Sequence, residues 1–356
     1  MKFEDGLKLD FDDVLIKPKR STLTTRSGVC IEKAYKYLHS GTWELTIPII
    51  AANMDTTGTF AMSEALSGFE RLGMQTALHK HYSTQSLISY YRTVWRVNTW
   101  FTIGIKEDDV LKLRDVDCGV KATCPTGIPL GIDKICIDVA NGYQKVFVDH
   151  VKRIRDEFPD STIMAGNVCT PEMVSELLIS GGADIVKIGI GPGSVCSTRR
   201  ITGCGYPQLS AIIECADAAH GVGGHICADG GCKEAGDVVK ALAAGADFVM
   251  LGGMLAGTDE CDGEWEYTEA HPSQYTPTEK KSLKFYGMSS EAAMNKHNGG
   301  MGSYRASEGI VKSVPYKGPV ENVLQEVAGG IRSACAYVGA PTLKDFPKCA
   351  TFVIMR

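Results

Sequence analysis

Short runs of β-branched and aliphatic residues recur from about residue 47 onward, separated by longer stretches whose apolar positions repeat with helical spacing. The runs predict strands at Ile47–Ala52, Thr76–His79, Phe101–Ile105, Lys134–Val139, Thr162–Ala165, Ile185–Ile190, His225–Ala228 and Phe248–Leu251. Between them the pattern predicts helices that include Thr59–Arg71, Tyr143–Glu157, Pro171–Ile179, Gln208–His220 and Glu234–Ala243. Strands alternating with helices in this way predict an α/β protein, a (β/α)8 TIM barrel. A doubly wound open sheet is the alternative. It is disfavoured because no early strand leads into G-x-G-x-x-G with an acidic residue about 20 positions later.

The polar residues that follow the apolar runs sharpen this reading. Ala52-Asn-Met-Asp55, Asp138-Val-Ala-Asn-Gly142, Ala165-Gly-Asn167, Gly189-Ile-Gly191, Ala228-Asp-Gly-Gly231 and Leu251-Gly-Gly253 place glycines, amides and carboxylates at C-terminal strand ends. That is the end where barrel enzymes build their active sites. After the eighth strand the rhythm breaks. Thr258–Lys281 reads as polar and loop-like, and Phe285–Gly309 is rich in glycine and hydroxyls, so residues from about 254 to 318 are expected to form a flap over the mouth. A plain surface hairpin is an equal reading of Thr258–Lys281. The expected organisation is one catalytic domain over 1–356 with an N-terminal arm of about 1–45 and no inserted domain.

Composition narrows the classes of function. Hydrophobic residues make up 44% of the 356 positions, enough for a sizeable core, and a net charge of −5 gives no basic field for nucleic acid. No uninterrupted apolar run approaches the ~18 residues of a membrane span and no leader pattern opens the chain, so a cytoplasmic protein is expected. Thirteen cysteines without a C-x-x-C pair read as free thiols in a reducing compartment.

One cysteine has a special setting. In Lys187-Ile-Gly-Ile-Gly-Pro-Gly-Ser-Val-Cys-Ser-Thr-Arg199, Cys196 follows a strand in a loop of glycines and hydroxyls beside the cation of Arg199. Exposed N–H groups and a nearby cation favour a thiolate, which makes Cys196 a candidate nucleophile. Thr198 is close enough to share the reaction centre, and Glu308 in the flap region is a candidate partner for relaying protons through it. Asp229-Gly-Gly231 and Gly252-Gly253, on strands seven and eight, mark the usual phosphate corner of a barrel, with Ser194 placed to add a hydroxyl. Asp229 itself would repel phosphate and suits ribose hydroxyls instead. His79 and His81 have weak metal spacing. Lys80 between them is the better candidate, as a phosphate or ribose contact, while His220 and His225 read as structural.

These motifs resemble the IMP dehydrogenase/GMP reductase family along nearly the whole chain. The resemblance rests on Leu7-Lys-Leu-Asp-Phe-Asp-Asp-Val-Leu15, Ala51-Ala-Asn-Met-Asp-Thr56, His79-Lys-His-Tyr82, Asp138-Val-Ala-Asn-Gly-Tyr143 and Gly191-Pro-Gly-Ser-Val-Cys196. Glu214-Cys-Ala-Asp-Ala-Ala-His220 and Phe285-Tyr-Gly-Met-Ser-Ser290 are similar to the reductase branch specifically. Cys196-Ser-Thr-Arg199 departs from the usual Cys-Thr-Thr-Arg but keeps a hydroxyl, and Tyr90–Ile132 matches poorly.

The resemblance implies NADPH-dependent reductive deamination of GMP to IMP and ammonia through a covalent adduct of Cys196 with purine C2. Thr198 and Glu308 would protonate the departing amine. It implies a GMP site of Ser194, Asp229, Gly230, Gly231, Gly252, Gly253, Gly287, Met288, Ser289, Arg305, Ala306, Ser307 and Gly309. The implied cofactor site comprises Thr25, Arg26, Lys80, Asp138, Val139, Ala140, Ile190, Gly191, Met288, Tyr304, Arg305, Ser333, Ala334, Cys335 and Ala336. It further implies a potassium site at Gly191, Gly193, Cys196 and Arg199, and a homotetramer. The alternatives are an IMP dehydrogenase, which would carry Arg-Tyr in its flap where this chain has Ser303-Tyr-Arg305, and a non-catalytic nucleotide-binding barrel.

Overall fold

The computed structural model describes residues 3–93, 98–122, 131–268, 279–304 and 306–355. Eight strands run parallel: β1 (Ile49–Ala51), β2 (Gln75–Ala77), β3 (Thr99–Ile103), β4 (Lys134–Asp138), β5 (Thr162–Val168), β6 (Ile185–Ile188), β7 (His225–Asp229) and β8 (Phe248–Leu251). Each pairs with the next, and β8 pairs back onto β1 through Val249 and Ile49, which closes the expected barrel. The helices behind the strands are α1 (Phe60–Ser67), α2 (Thr84–Thr93), α3 (Glu107–Lys121), α4 (Lys145–Glu157), α5 (Pro171–Ile179), α6 (Gln208–Gly221), α7 (Ala235–Ala243) and α8 (Val320–Val338).

Differences from the sequence expectation have local causes. Thr59 is not helical but caps α1, its hydroxyl accepting from the Met62 N–H, and Glu234 stands just ahead of α7 as its N-cap. The runs ending at Ile105 and Ile190 leave the ladder at Ile103 and Ile188, where Gly104 and Gly189 begin the loops, and the run ending at His79 leaves it at Ala77. Helices α2, α3 and α8 were not anticipated. In α3 the buried apolar residues are only Val110, Leu113, Val116 and Val120, beside a buried Asp117, within a highly charged segment, a narrow signal.

Alternation along the strands divides the apolar residues into two layers. Ile135, Ile137, Val186, Ile188 and Ile226 face the helices. Ile50, Ala77, Trp100, Cys136, Met164, Ile185, Cys227 and Phe248 fill the barrel interior. An antiparallel hairpin, Lys33–Lys36 with Trp43–Thr46, plugs the N-terminal end. Tyr35 and Tyr37 join the interior cluster, the Tyr35 hydroxyl donates to the Asp247 carbonyl at 2.6 Å, and Lys33 Nζ meets Asp247 Oδ1 at 2.8 Å. With that end sealed, the opposite end is left for chemistry.

The excursion after β8 folds over that opposite end. It is built on a three-stranded antiparallel sheet of Trp265–Tyr267, Lys280–Tyr286 and Val311–Pro315, with a helix at Glu291–Asn298. Thus Thr258–Lys281 is not all loop. Trp265–Tyr267 pairs with the next strand and Lys280 lies over the Trp265 ring, while 269–278 are outside the described residues. Among the described residues no helix is long and apolar enough to cross a membrane.

Candidate active site

The C-terminal ends of the strands surround a cavity of about 250 Å³. Its walls include Asp138 to Ala140 at the end of β4, Asn167 in β5, Ile190 to Cys196 after β6 (without Pro192), Asp229 to Gly231 at the end of β7, and Gly252 and Gly253 after β8. Phe285, Gly287, Met288, Ser289 and Glu308 come from the flap.

The nucleophile candidate and its two companions converge. The Cys196 thiol donates to Thr198 Oγ1 at 3.3 Å, and that hydroxyl donates to Glu308 Oε2 at 2.8 Å. Glu308 is brought there by backbone pairing rather than by its own side chain. Cys196 and Gly309 form an antiparallel bridge in which the Ser197 N–H donates to the Glu308 carbonyl at 3.0 Å and the Ile310 N–H to the Val195 carbonyl at 2.9 Å. Thr198 opens the short helix Thr198–Thr202, which fixes its hydroxyl over the loop.

Two expectations about the thiol need correcting. The Arg199 guanidinium, read from the sequence as a cation for the thiolate, bonds the Ile190 carbonyl at 3.3 Å, Asp10 at 3.0 Å and the Tyr206 carbonyl. It braces the loop on the N-terminal arm instead. The N–H groups expected to be free are also engaged: that of Cys196 donates to the Gly193 carbonyl at 3.0 Å, and that of Ser197 joins the flap bridge.

The residues expected to form a phosphate corner lie together at the strand ends. A Cβ on Gly253 would come within 2.7 Å of the Ser194 hydroxyl, so Ser194 stands directly at the end of β8. Gly230 has φ +89° and lies against the cysteine loop, where a Cβ would meet Pro192 Cγ at 3.0 Å and Gly193 N at 3.2 Å. Asp229 Oδ2 accepts from Asn167 Nδ2 at 2.9 Å. In the flap, the Ser307 hydroxyl donates to the Gly309 carbonyl at 2.9 Å, Ala306 is exposed, and Tyr304 is 84% exposed. Arg305 lies outside the described residues.

The cofactor candidates fall into separate groups. Asp138, Val139, Ala140, Ile190, Gly191 and Met288 line the cavity. Lys80, above β2, faces Asp109 at 3.8 Å. Thr25 and Arg26 belong with a turn that packs on α8, the helix that carries Ser333, Ala334, Cys335 and Ala336, away from the cavity lining. The Cys335 thiol is packed in the core, with its pKa pushed up to about 12 by burial. For a monovalent cation the loop offers carbonyls: among the described residues no donor meets those of Gly191 and Cys196, and that of Gly193 accepts only the Cys196 N–H.

His79 and His81 do not form a metal set. Both are pushed down to about 4, chiefly by burial, and so are neutral. They sit beside Asp55, whose Oδ2 accepts from Tyr286 at 2.7 Å, His297 at 2.7 Å and Lys296 at 3.0 Å, tying the flap to the end of β1. His220 and His225 lie at the sealed end against Asp247.

Sequence reasoning missed Lys187. In mid-strand β6 its ammonium pairs with Asp138 and lies 3.2 Å from Asp229 Oδ2. Burial alone would push Lys187 down and Asp138 up. The ion pair overrides both, holding the lysine charged and Asp138 below its ordinary carboxylate range. A lysine interrupting Ile185-Val-Lys-Ile188 was the available signal.

Comparison with known proteins agrees with this geometry. The chain is 52% identical to a GMP reductase of Edwardsiella ictaluri over 357 residues, covering 99% of this chain and 96% of that protein. It is 50% identical to a GMP reductase of Aeromonas hydrophila (100% and 97% covered) and 51% identical to one of Yersinia pestis (99% and 96%). A sequence model described as the IMP dehydrogenase / GMP reductase domain matches residues 8–356, and with a closed parallel barrel, a cysteine loop and a flap over its mouth, this chain belongs to that family.

Proposed function

We propose that this protein is a GMP reductase, which deaminates GMP to IMP and ammonia with NADPH in purine nucleotide interconversion. The observation that carries the reading is the continuous hydrogen-bond chain from the Cys196 thiol through Thr198 to Glu308. Its donors all point the same way. A shift along it moves the thiol proton to Glu308 and leaves a thiolate facing the cavity.

The thiolate adds to purine C2, forming the S–C bond as the C2–N3 π pair moves onto N3, from where it returns to expel the amine. The proton stored on Glu308 returns through Thr198 to the C2 amine, the C–N bond breaks, and ammonia departs with the proton that the thiol gave up. NADPH, when bound, would supply the hydride that reduces C2, and the S–C bond pair leaves with the sulfur as a Cys196 thiolate that regains its proton from solvent. Asp229 accepts ribose hydroxyls, while Ser194 and the backbone of Gly230, Gly231, Gly252 and Gly253 receive the phosphate, with Met288, Ser289 and the 305–309 segment covering the nucleotide. Asp138 to Ala140 and Ile190 serve the cofactor in the cavity. A monovalent cation would fit among the carbonyls of Gly191, Gly193, Cys196 and Arg199 and would order the loop. We also take the chain to act as one catalytic domain, as a cytoplasmic homotetramer.

The test is NADPH absorbance with GMP present, with ammonia measured alongside. NADPH consumption matched by ammonia is expected, and it is abolished in Cys196→Ala while GMP binding persists. Full turnover by Cys196→Ala refutes the covalent step. Cofactor reduction with IMP and NAD, with silence toward GMP, establishes the dehydrogenase instead, and nucleotide binding without either reaction establishes a non-catalytic barrel.

A further inference from the structure

Lys187 takes no part in the thiol relay, yet its side chain is only 1% exposed at the floor of the cavity. A lysine is almost never buried so fully unless its charge is used. An apolar residue in its place would fit the strand interior. The register shows how it reaches two partners at once. Asp138 pairs with Gly166 across β4 and β5, Gly166 pairs with Lys187, and Lys187 pairs with Cys227, two positions before Asp229. Gly166 keeps the intervening space clear, since a Cβ there would lie 2.6 Å from the Lys187 Cβ.

The ammonium bonds Asp138 Oδ1, sits 3.2 Å from Asp229 Oδ2 and lies 3.4 Å from Asn53 Oδ1. Asn167 Nδ2 adds a second donor to Asp229 Oδ2 at 2.9 Å. Asp229 commits Oδ2 to the network, while Asp138 is held by Lys187 and by the Asn53 side chain. Both side chains line the cavity, 36% and 22% exposed, so each keeps carboxylate surface within reach of a ligand.

We propose that Lys187 is a positioning residue that aims Asp138 and Asp229 as hydroxyl acceptors, one toward the ribose of each nucleotide. The identity of those nucleotides rests on the GMP reductase reading. Lys80 and the Asn53 amide also face Asp138, and the buried Cys136 thiol faces both carboxylates, but among the described residues Lys187 is the cation in contact with both, and like charges this close disfavour joint ionisation once it is removed. Without Lys187 one of them takes up a proton, turns from acceptor to donor and loses its bearing. Substrate and cofactor sites therefore share one charge.

The test compares wild type, Lys187→Met and Lys187→Met/Asp138→Asn. In Lys187→Met, KM for both GMP and NADPH is expected to rise about 10- to 100-fold, the scale of a hydrogen bond to a charged group, with kcat changed far less. Both KM values should also acquire a pH dependence between about 5 and 8 as the shared proton titrates. In the double variant the like-charge pair is gone, so KM for GMP returns toward wild type and loses that pH dependence, while KM for NADPH stays high. KM values within about twofold of wild type in Lys187→Met, or a loss confined to kcat, overturn the proposal.

A readout independent of substrate is the Tm difference between wild type and Lys187→Met. It should narrow as pH is lowered from about 8 to about 5, because a proton relieves the repulsion. A constant difference overturns the proposal. Wild type that ignores GMP and NADPH refutes the GMP reductase reading alone, and the Tm comparison still decides the role of Lys187. If Lys187→Met does not fold, the split between the two KM values is read on the double variant. Unsplit KM values there overturn the proposal.

Discussion

Thr198→Val removes one hydroxyl and keeps the shape of the side chain, so it severs the relay at its centre. Both halves are broken together: the 3.3 Å contact from Cys196 and the 2.8 Å bond to Glu308 Oε2. Positioned proton transfer contributes about 10²- to 10⁴-fold to a rate, so kcat should fall by that factor. KM for GMP should move little, because the glycine-rich corner and Asp229 are untouched. Glu308 loses its hydroxyl donor but is only partly buried and keeps access to water, so the stability loss should stay near 1 kcal/mol. The Cys196–Gly309 bridge is made by main chain and survives the change. The assay is steady-state NADPH oxidation together with a single turnover that follows ammonia. Thr198→Ser, which keeps the hydroxyl, should retain activity within about tenfold. If Thr198→Val turned over within about threefold of wild type, the relay would have no role in the rate, and protons would have to reach the amine by another path.

Gly287→Ala would put a Cβ 2.7 Å from the Val195 carbonyl and 3.1 Å from Gly309 Cα, both on the bridge between loop and flap. It should cost about 1–3 kcal/mol of local strain and lower kcat at least tenfold, with faster protease cleavage of the flap as the structural check. Asp247→Asn, at the sealed end, leaves Lys33 short of its counter-charge and should destabilise the fold by about 3–5 kcal/mol in a denaturant titration, with kcat/KM of the folded protein unchanged. His79 is held at about 4 in the fold against an ordinary 6.5, so the unfolded chain binds more protons between those values. Stability should therefore rise with pH through that window, by roughly 3 kcal/mol from His79, and a Tm–pH profile of His79→Gln should be flatter there. Asp55, shifted below its ordinary value, adds a separate loss only below about pH 4.

The barrel was legible because its strands are short, apolar and followed by polar tips, as at Ile185-Val-Lys-Ile188 and Phe248-Val-Met-Leu251. What the pattern did not carry was α3, where charge hides a narrow buried stripe, and the hairpin plug, whose Tyr35 and Tyr37 read as ordinary arm residues. In the site, Cys196, Thr198 and Glu308 could be chosen by chemistry, but their meeting depends on main-chain pairing between residues over a hundred positions apart. Arg199 shows the opposite failure. Proximity in sequence suggested a partner for the thiol, and the fold turned the guanidinium toward Asp10. Lys187 was passed over because a charge inside a strand carries no meaning until the strand's neighbours are known.

The bridge between the cysteine loop and the flap also works as an interlock. The sulfur belongs to the barrel and the carboxylate to the flap, so a displaced flap carries away the acceptor for the thiol proton. In the proposed mechanism an open protein would hold a cysteine disarmed toward passing electrophiles, armed only once the cover is seated. Selectivity in the proposed reaction thus begins before any base is recognised, in the order of assembly: lid first, thiolate second.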